Sequence, residues 1–332
     1  MSPDEDRRAP LCPLSGDEMR RWLHVSRDWR RPDVAQAWSL WWSDGARFGQ
    51  VHPRPTPPEI AQFYDLDAYY THETTAPVPR MGLFTRLIVA LAWRLDRGKP
   101  ADTEFWRRVL PRGAVLEIGC GHGDRLRSLR PFVTETVGVE PDPKARARAA
   151  ERGLTVLPGT AEALPPEVAQ RRFDAILFMH VLEHCADPGL ALEKAASLLS
   201  PGGMMVIEVP NNAAQGLTQA GAFWRWLDVP RHLNFFTESS LRAFAARANL
   251  RVTRCDYDGY TRQFLPDWIA DEARIDAILQ GRTAQTADLR RHTWRALRLL
   301  VTTAFARNAR KYDSVRIICT RDRAAEPNLD QG

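Results

Sequence analysis

Lysine is nearly missing from this chain: Lys99, Lys144, Lys194 and Lys311 are the four among 46 basic residues in 332, and the rest are arginine. No Lys/Arg-rich block marks a nucleic-acid tail, and 41 acidic residues leave a net charge of +5. Cysteine is sparse as well. Cys12, Cys120, Cys185, Cys255 and Cys319 are odd in number and form no C-x-x-C pair, which argues against a disulfide framework and fits a reducing compartment. No apolar run reaches the roughly 18 residues a membrane span needs. The opening MSPDEDRRAP has no apolar stretch of the signal-peptide kind, so the expected location is cytoplasmic. Charged residues at 26% and hydrophobic ones at 44% are ordinary globular usage and exclude global disorder or a collagen-like fibre. There is no internal repeat.

Residues 1–80 read as an irregular accessory region. Prolines are frequent, as in the stretch from Val51 to Pro58, and Trp22, Trp29, Trp38, Trp41 and Trp42 fall close together. Residues 81–100 read as a linking helix with a wide apolar face and a stripe of Arg86, Arg94 and Arg97. Two readings stand for it: burial against the main domain, or peripheral membrane contact through 82–97.

From residue 112 short apolar runs alternate with helical stretches. Val115–Ile118, Val133–Val139, Leu154–Leu157, Ala175–Met179 and Met204–Val209 read as strands. Asp124–Leu129, Pro143–Arg152, Glu162–Ala169 and Pro188–Leu199 read as helices. Such alternation predicts an α/β fold, a parallel sheet with helices on both faces. Thr237 is a good N-cap, Leu250–Cys255 and Ser314–Thr320 supply two more strands, and 288–309 reads as one long helix. The main domain is expected over 101–322, with a tail at 323–332.

The sharpest motif is Glu117-Ile-Gly119-Cys120-Gly121-His-Gly123, set directly after a strand and opening a helix. Glycines there let main chain approach a ligand without a Cβ in the way. A dinucleotide fingerprint would need glycine at position 124, which is Asp124. The pattern E-x-G-x-G-x-G resembles the first motif of class I S-adenosylmethionine (SAM)-dependent methyltransferases. Four more elements follow in register: Val137-Gly-Val-Glu140, Gly159-Thr-Ala-Glu-Ala-Leu164, Phe173–His184, and Leu198-Leu-Ser-Pro-Gly-Gly203. The resemblance covers about 112–211 and extends towards 320. It implies a Rossmann-like seven-stranded methyltransferase sheet that binds SAM. It assigns Glu140 to the ribose hydroxyls and Glu117, Gly119, Cys120, Gly121, Gly123, Pro141, Thr160, Ala161, Met179 and His180 to the rest of the cofactor. Many relatives carry Asp where Thr160 stands, so backbone contact from Ala161 is the expected adenine interaction.

His180-Val-Leu-Glu183-His184 formally matches a zinc-protease pattern, but its place after the fourth strand puts it where the resemblance expects the methyl group. A histidine can take the proton an acceptor hydroxyl loses, which makes His184 the candidate base, with His180 and His232 beside it as catalytic candidates. Two alternatives remain: Glu183 and His184 only hold the loop, or they join His232 at a non-catalytic metal. The primary expectation is no metal. Further on, Phe223–Thr237 resembles the Pro-Arg-His-Leu…Phe-Thr segment of one bacterial branch acting on small molecules, sugars, quinone-like or lipid-linked acceptors. Trp224, Trp226, Phe235 and Phe236 offer an aromatic wall, and Arg231 and His232 either polar handles for the substrate or backbone hydrogen bonds in a structural turn. Members of this branch often begin with a zinc ribbon. Here Ser15, Ser43 and Ala46 stand where three thiolates would be and Cys12 remains, so the ribbon is expected to be degenerate and zinc-free.

The expected activity is transfer of a SAM methyl group to O, C or N of a small-molecule, sugar or lipid-linked acceptor. DNA is not expected as a partner. The rival readings are a SAM-binding scaffold without catalysis and an RNA methyltransferase. Oligomeric state and acceptor identity are not legible.

Overall fold

The computed structural model describes residues 9–34, 36–64, 82–96 and 102–321. They fall into two compact units, each taken by itself.

One unit comprises the described residues of 100–209, 241–256 and 316–332, and it is organised on a seven-stranded sheet. Its strands are β4 (Ala114–Ile118), β5 (Glu135–Glu140), β6 (Thr155–Pro158), β7 (Phe173–Met179), β8 (Leu199–Pro210), β10 (Leu250–Asp258) and β11 (Ser314–Arg321). They lie in the order β10-β11-β8-β7-β4-β5-β6. Pairings β4–β5, β4–β7, β5–β6 and β7–β8 are parallel. Strand β4 has both neighbours and is buried along nearly its whole length, as covered parallel strands require. The chain runs outward from β4 through β5 to β6, then crosses to β7. That reversal beside β4 is the switch point where ligands of open α/β sheets collect. All seven strands read from the sequence are present, with helices flanking the sheet.

Helix starts follow local chemistry. Asp142 accepts from the Lys144 amide at 2.8 Å and Asp187 from Leu190 at 3.0 Å, each before a proline at the first helical turn. The expected helix Glu162–Ala169 is only Pro166–Ala169, because Pro165 and Pro166 begin a helix more readily than they continue one.

The other unit takes the described residues of 1–99, 210–240 and 257–315. Its amino-terminal part is more regular than its prolines imply. Strands β1 (Arg20–Val25), β2 (Trp38–Ser43) and β3 (Phe48–His52) form an antiparallel sheet, joined by β9 (Asn234–Phe235) through Gly49↔Phe235 and Gln50↔Asn234. Trp38, Leu40, Trp42 and Val51 pack with Phe63, Leu217, Trp224 and Phe235 in one apolar cluster. Of the ribbon-like positions, Cys12 is buried in a tight turn, Ser15 Oγ accepts from the Asp17 amide, and Ser43 Oγ from the Ala46 amide at 3.1 Å. Thr237 caps helix Glu238–Arg247 as expected, exchanging bonds with Ser240. The single helix read over 288–309 is instead Leu289–Thr303 followed by Asn308–Lys311. Thr302 and Thr303 hydroxyls bond back to the Arg298 and Leu299 carbonyls at 2.9 and 2.5 Å, a competition that weakens a helix end. The expected tail, and Arg97 of the arginine stripe, lie outside the described residues. No helix among the described residues is long and apolar enough to cross a membrane.

Candidate cofactor cleft and acceptor segment

The glycine loop leaves β4 at the switch point. Gly119, Gly121 and Gly123 take φ of 68, 53 and 77°, a left-handed region that side chains disfavour. A Cβ on Gly119 would stand 2.5 Å from Val181 Cγ2, so the loop nests against the segment that follows β7. The amides of Gly119 and Cys120 bond to the Val139 carbonyl at 2.7 and 3.3 Å, and that of Gly123 to Cys120. The loop is therefore tied to β5 by its own main chain. Cys120 is buried against Leu126, Ala149 and Leu154, where burial pushes its thiol pKa up.

Glu140 closes β5. Its Oε2 accepts from the Gly121 amide at 2.8 Å and its Oε1 from the Asp142 amide at 2.9 Å. Burial raises its pKa against the pull of those two amides. Each oxygen keeps a further lone pair, so a carboxylate fixed this way remains able to accept from vicinal hydroxyls. Glu117 is buried and ion-paired at 3.0 Å to Arg125, whose guanidinium lies over Trp106; it anchors the helix that the loop opens. The Pro141 carbonyl accepts from Arg146 at 2.6 Å. Thr160 Oγ1 is engaged with the Ala163 amide at 3.1 Å, and Ala161 is buried beside it. That leaves the Thr160 hydroxyl as a turn cap.

Met179 ends β7 opposite Glu208 of β8. His180 follows with φ 58°, its amide bonded to the Glu208 carbonyl at 2.8 Å. Its ring sits between Glu208 Oε1 at 3.1 Å and Glu183 Oε1 at 3.3 Å. Burial would lower the His180 pKa, but the two carboxylates outweigh it and raise it to about 9. A histidine held between two carboxylates favours its protonated form, which leaves His184 as the candidate base. Arg316 of β11 pairs with Glu208 and lies over Phe105. Neither Glu208 nor Arg316 was found from the sequence. Only the register of β7 against β8 brings an acid 28 residues away onto His180. His184 is half-buried on the short turn Leu182–His184, its amide bonded to Val181 at 2.9 Å.

The unbroken main-chain cradle, the fixed carboxylate one strand over and the switch-point location together fit a nucleoside-bearing ligand.

In the other unit the Phe223–Thr237 segment divides in two. Trp224, Phe235 and Phe236 are buried in the core and offer no wall to a ligand in this arrangement. Arg231 is likewise enclosed: Nη1 and Nη2 donate to Asp28 at 2.8 and 2.6 Å, and Nε to Asp228 at 3.1 Å. The aromatic and polar residue types that suggested a binding wall serve packing and a buried ion network here. Trp226 differs. It borders an open hollow of about 250 Å³ with Arg225, Arg262, Asp267 and Trp268. Its ring meets Trp268 at 5.8 Å edge-on and stacks with His232 at 6.4 Å. His232 Nδ1 is 2.8 Å from the Trp226 carbonyl.

A family model described as a methyltransferase domain matches residues 90–254. A ubiquinone biosynthesis O-methyltransferase of Caulobacter vibrioides is 33% identical over 225 residues, covering 64% of this chain and 82% of that protein. Its namesake from Caulobacter sp. (strain K31) is 40% identical with the same coverage. A solved SAM-dependent methyltransferase from Archaeoglobus fulgidus is 19% identical with a TM-score of 0.43, covering 71% of this chain and 93% of that one.

Proposed function

Because this chain belongs to the class I SAM-dependent methyltransferases, we propose that it methylates a hydroxyl oxygen on a small quinol-like acceptor. SAM is its methyl donor, and it is an enzyme of small-molecule O-methylation. The relatives do not favour the scaffold or RNA readings. The quinol-like ring is inferred from the names those relatives carry. A lipid-linked tail on the acceptor, and a peripheral membrane contact through 82–97, belong to the same proposal.

When bound, SAM supplies a sulfonium-activated methyl group and is released as S-adenosylhomocysteine. The chain supplies position and proton transfer. Glu140 accepts from the ribose hydroxyls, while the Gly119–Gly123 loop and Met179 hold the remainder, with Ala161 at the base. His184 takes the proton that the acceptor hydroxyl loses as its oxygen gains the methyl group. His180, held as a cation between Glu183 and Glu208, keeps the segment carrying His184 in place.

The observation that carries this reading is the Glu140–Gly121 hydrogen bond of 2.8 Å, which joins the ribose candidate to the glycine loop in one rigid piece. Calorimetry with SAM tests it. Glu140→Ala should weaken affinity by about 10-fold or more, the scale of one charge-assisted hydrogen bond or two. Unchanged affinity would refute the assignment. Incubating the wild type with SAM and a catechol-bearing quinol should yield an O-methylated product by mass spectrometry.

A further inference from the structure

Two helices of the unit that holds the amino-terminal strands leave apolar side chains in solvent. On helix Leu83–Leu95 the inner face is Ile88 and Ala92, yet a second apolar face, Leu83, Phe84, Leu87 and Leu91, points outward. Leu83 and Leu87 are 83% and 56% exposed. On helix Leu289–Thr303 and the turn beyond it, Trp294, Val301 and Phe305 are 55%, 69% and 94% exposed. The two helices touch: the Phe84 and Trp294 rings are 5.3 Å apart. One continuous aromatic-aliphatic surface results, larger than the single exposed hydrophobes that any globular surface carries.

Between their caps, Asp288 and Asp96, the two helices carry positive charge only. Neither helix contains Asp or Glu, while Arg86, Arg94, Arg290, Arg291 and Arg298 rise from them. Arg86, Arg94, Arg290 and Arg298 have no ion-pair partner among the described residues. Trp, Phe and Leu at the centre with arginines around them is the composition of an interfacial helix on an anionic bilayer. The rings enter the headgroup boundary, and the guanidinium groups meet phosphates. A protein partner of equal fit would have to bring acidic groups on every side of a flat apolar centre, which a phosphate-bearing lipid surface offers without design.

We infer that these two helices form a composite docking surface for membranes rich in anionic phospholipid. This deepens, and rests on, the proposed peripheral contact. It relocates that contact from one helix to a pair, in which Trp294 and Phe305 lead. Sedimentation with phosphatidylglycerol/phosphatidylcholine vesicles, against phosphatidylcholine alone, tests it on the full chain. The wild type should pellet with the anionic vesicles only, and less as salt rises. Arg290→Gln with Arg298→Gln should lower the partition by about 10-fold or more, and so should Val301→Ser with Phe305→Ser. Circular dichroism and SAM affinity of both variants should match the wild type, which separates a failed surface from a failed fold or a failed methyltransferase reading. No pelleting at low salt, or equal pelleting of the variants, would overturn the inference. So would a self-associated wild type that both variants convert to monomer, since the face would then be covered by a second copy.

Discussion

Replacing Arg231 by methionine tests whether its guanidinium holds the fold or meets a ligand. Its guanidinium is fully enclosed, bidentate to Asp28, and shares Asp228 with Arg30, whose Nε is 2.9 Å from the Asp228 carboxylate. Burial pushes the Asp228 pKa up, but Arg231, Arg30 and His232 pull harder and hold it well below the usual carboxylate range. Arg231→Met removes the bidentate partner of Asp28 while leaving Asp228 with Arg30. A buried ion stripped of its partner costs about 3–5 kcal/mol. Two charges at ~4 Å with an effective dielectric of ~20 give a similar ~4 kcal/mol. With a urea slope of about 2–3 kcal/mol per molar, the unfolding midpoint followed by tryptophan fluorescence should drop by roughly 1–2 M. Asp28→Asn combined with Arg231→Met should recover a large part of that loss, because no uncompensated charge remains. A single variant losing under about 1 kcal/mol while its acceptor KM rises would show that Arg231 serves the ligand, and the reasoning would fail.

Three further outcomes follow from the cofactor unit. The raised His180 pKa means its two ion pairs contribute fully below the ordinary histidine value and are lost as pH rises through about 9; thermal melts should show a fall in stability there, absent in His180→Gln. His184→Ala should reduce kcat by about 10²–10⁴-fold with SAM affinity kept, and an unchanged kcat would assign His184 to holding the loop. Gly119→Ala places a Cβ 2.5 Å from Val181 Cγ2 at a φ of 68°, costing about 1–2 kcal/mol for backbone alone; calorimetry should find SAM binding weakened while the protein still folds.

The cofactor half was readable because its signals are local. Apolar runs such as Val115–Ile118 become covered strands, and glycines at alternate positions mark a loop whose left-handed φ values most side chains disfavour. What escaped was non-local. Glu208 reaches His180 only through the pairing of β7 with β8. Strands β1–β3 were hidden because Trp38 and Trp42 find their packing partners at Leu217, Trp224 and Phe235, far along the chain. Arg231 and Trp224 are buried, and charged and aromatic side chains look the same in sequence whether they face a ligand or fill a core. Trp226 was singled out in the sequence, but Arg225, Arg262 and Trp268 around its hollow were not, since their elements had no distinguishing motif.

The pairing of β3 with β9 has a consequence for synthesis. Gly49 leaves the ribosome long before Phe235, its partner, and at about 5–20 residues per second the gap lasts roughly 10–40 s. Throughout that interval a nascent tryptophan-rich hairpin displays an unsatisfied edge, a template for illegitimate pairing between neighbouring chains. Slower growth temperatures and holding chaperones should therefore raise soluble yield more through this hairpin than through the parallel sheet.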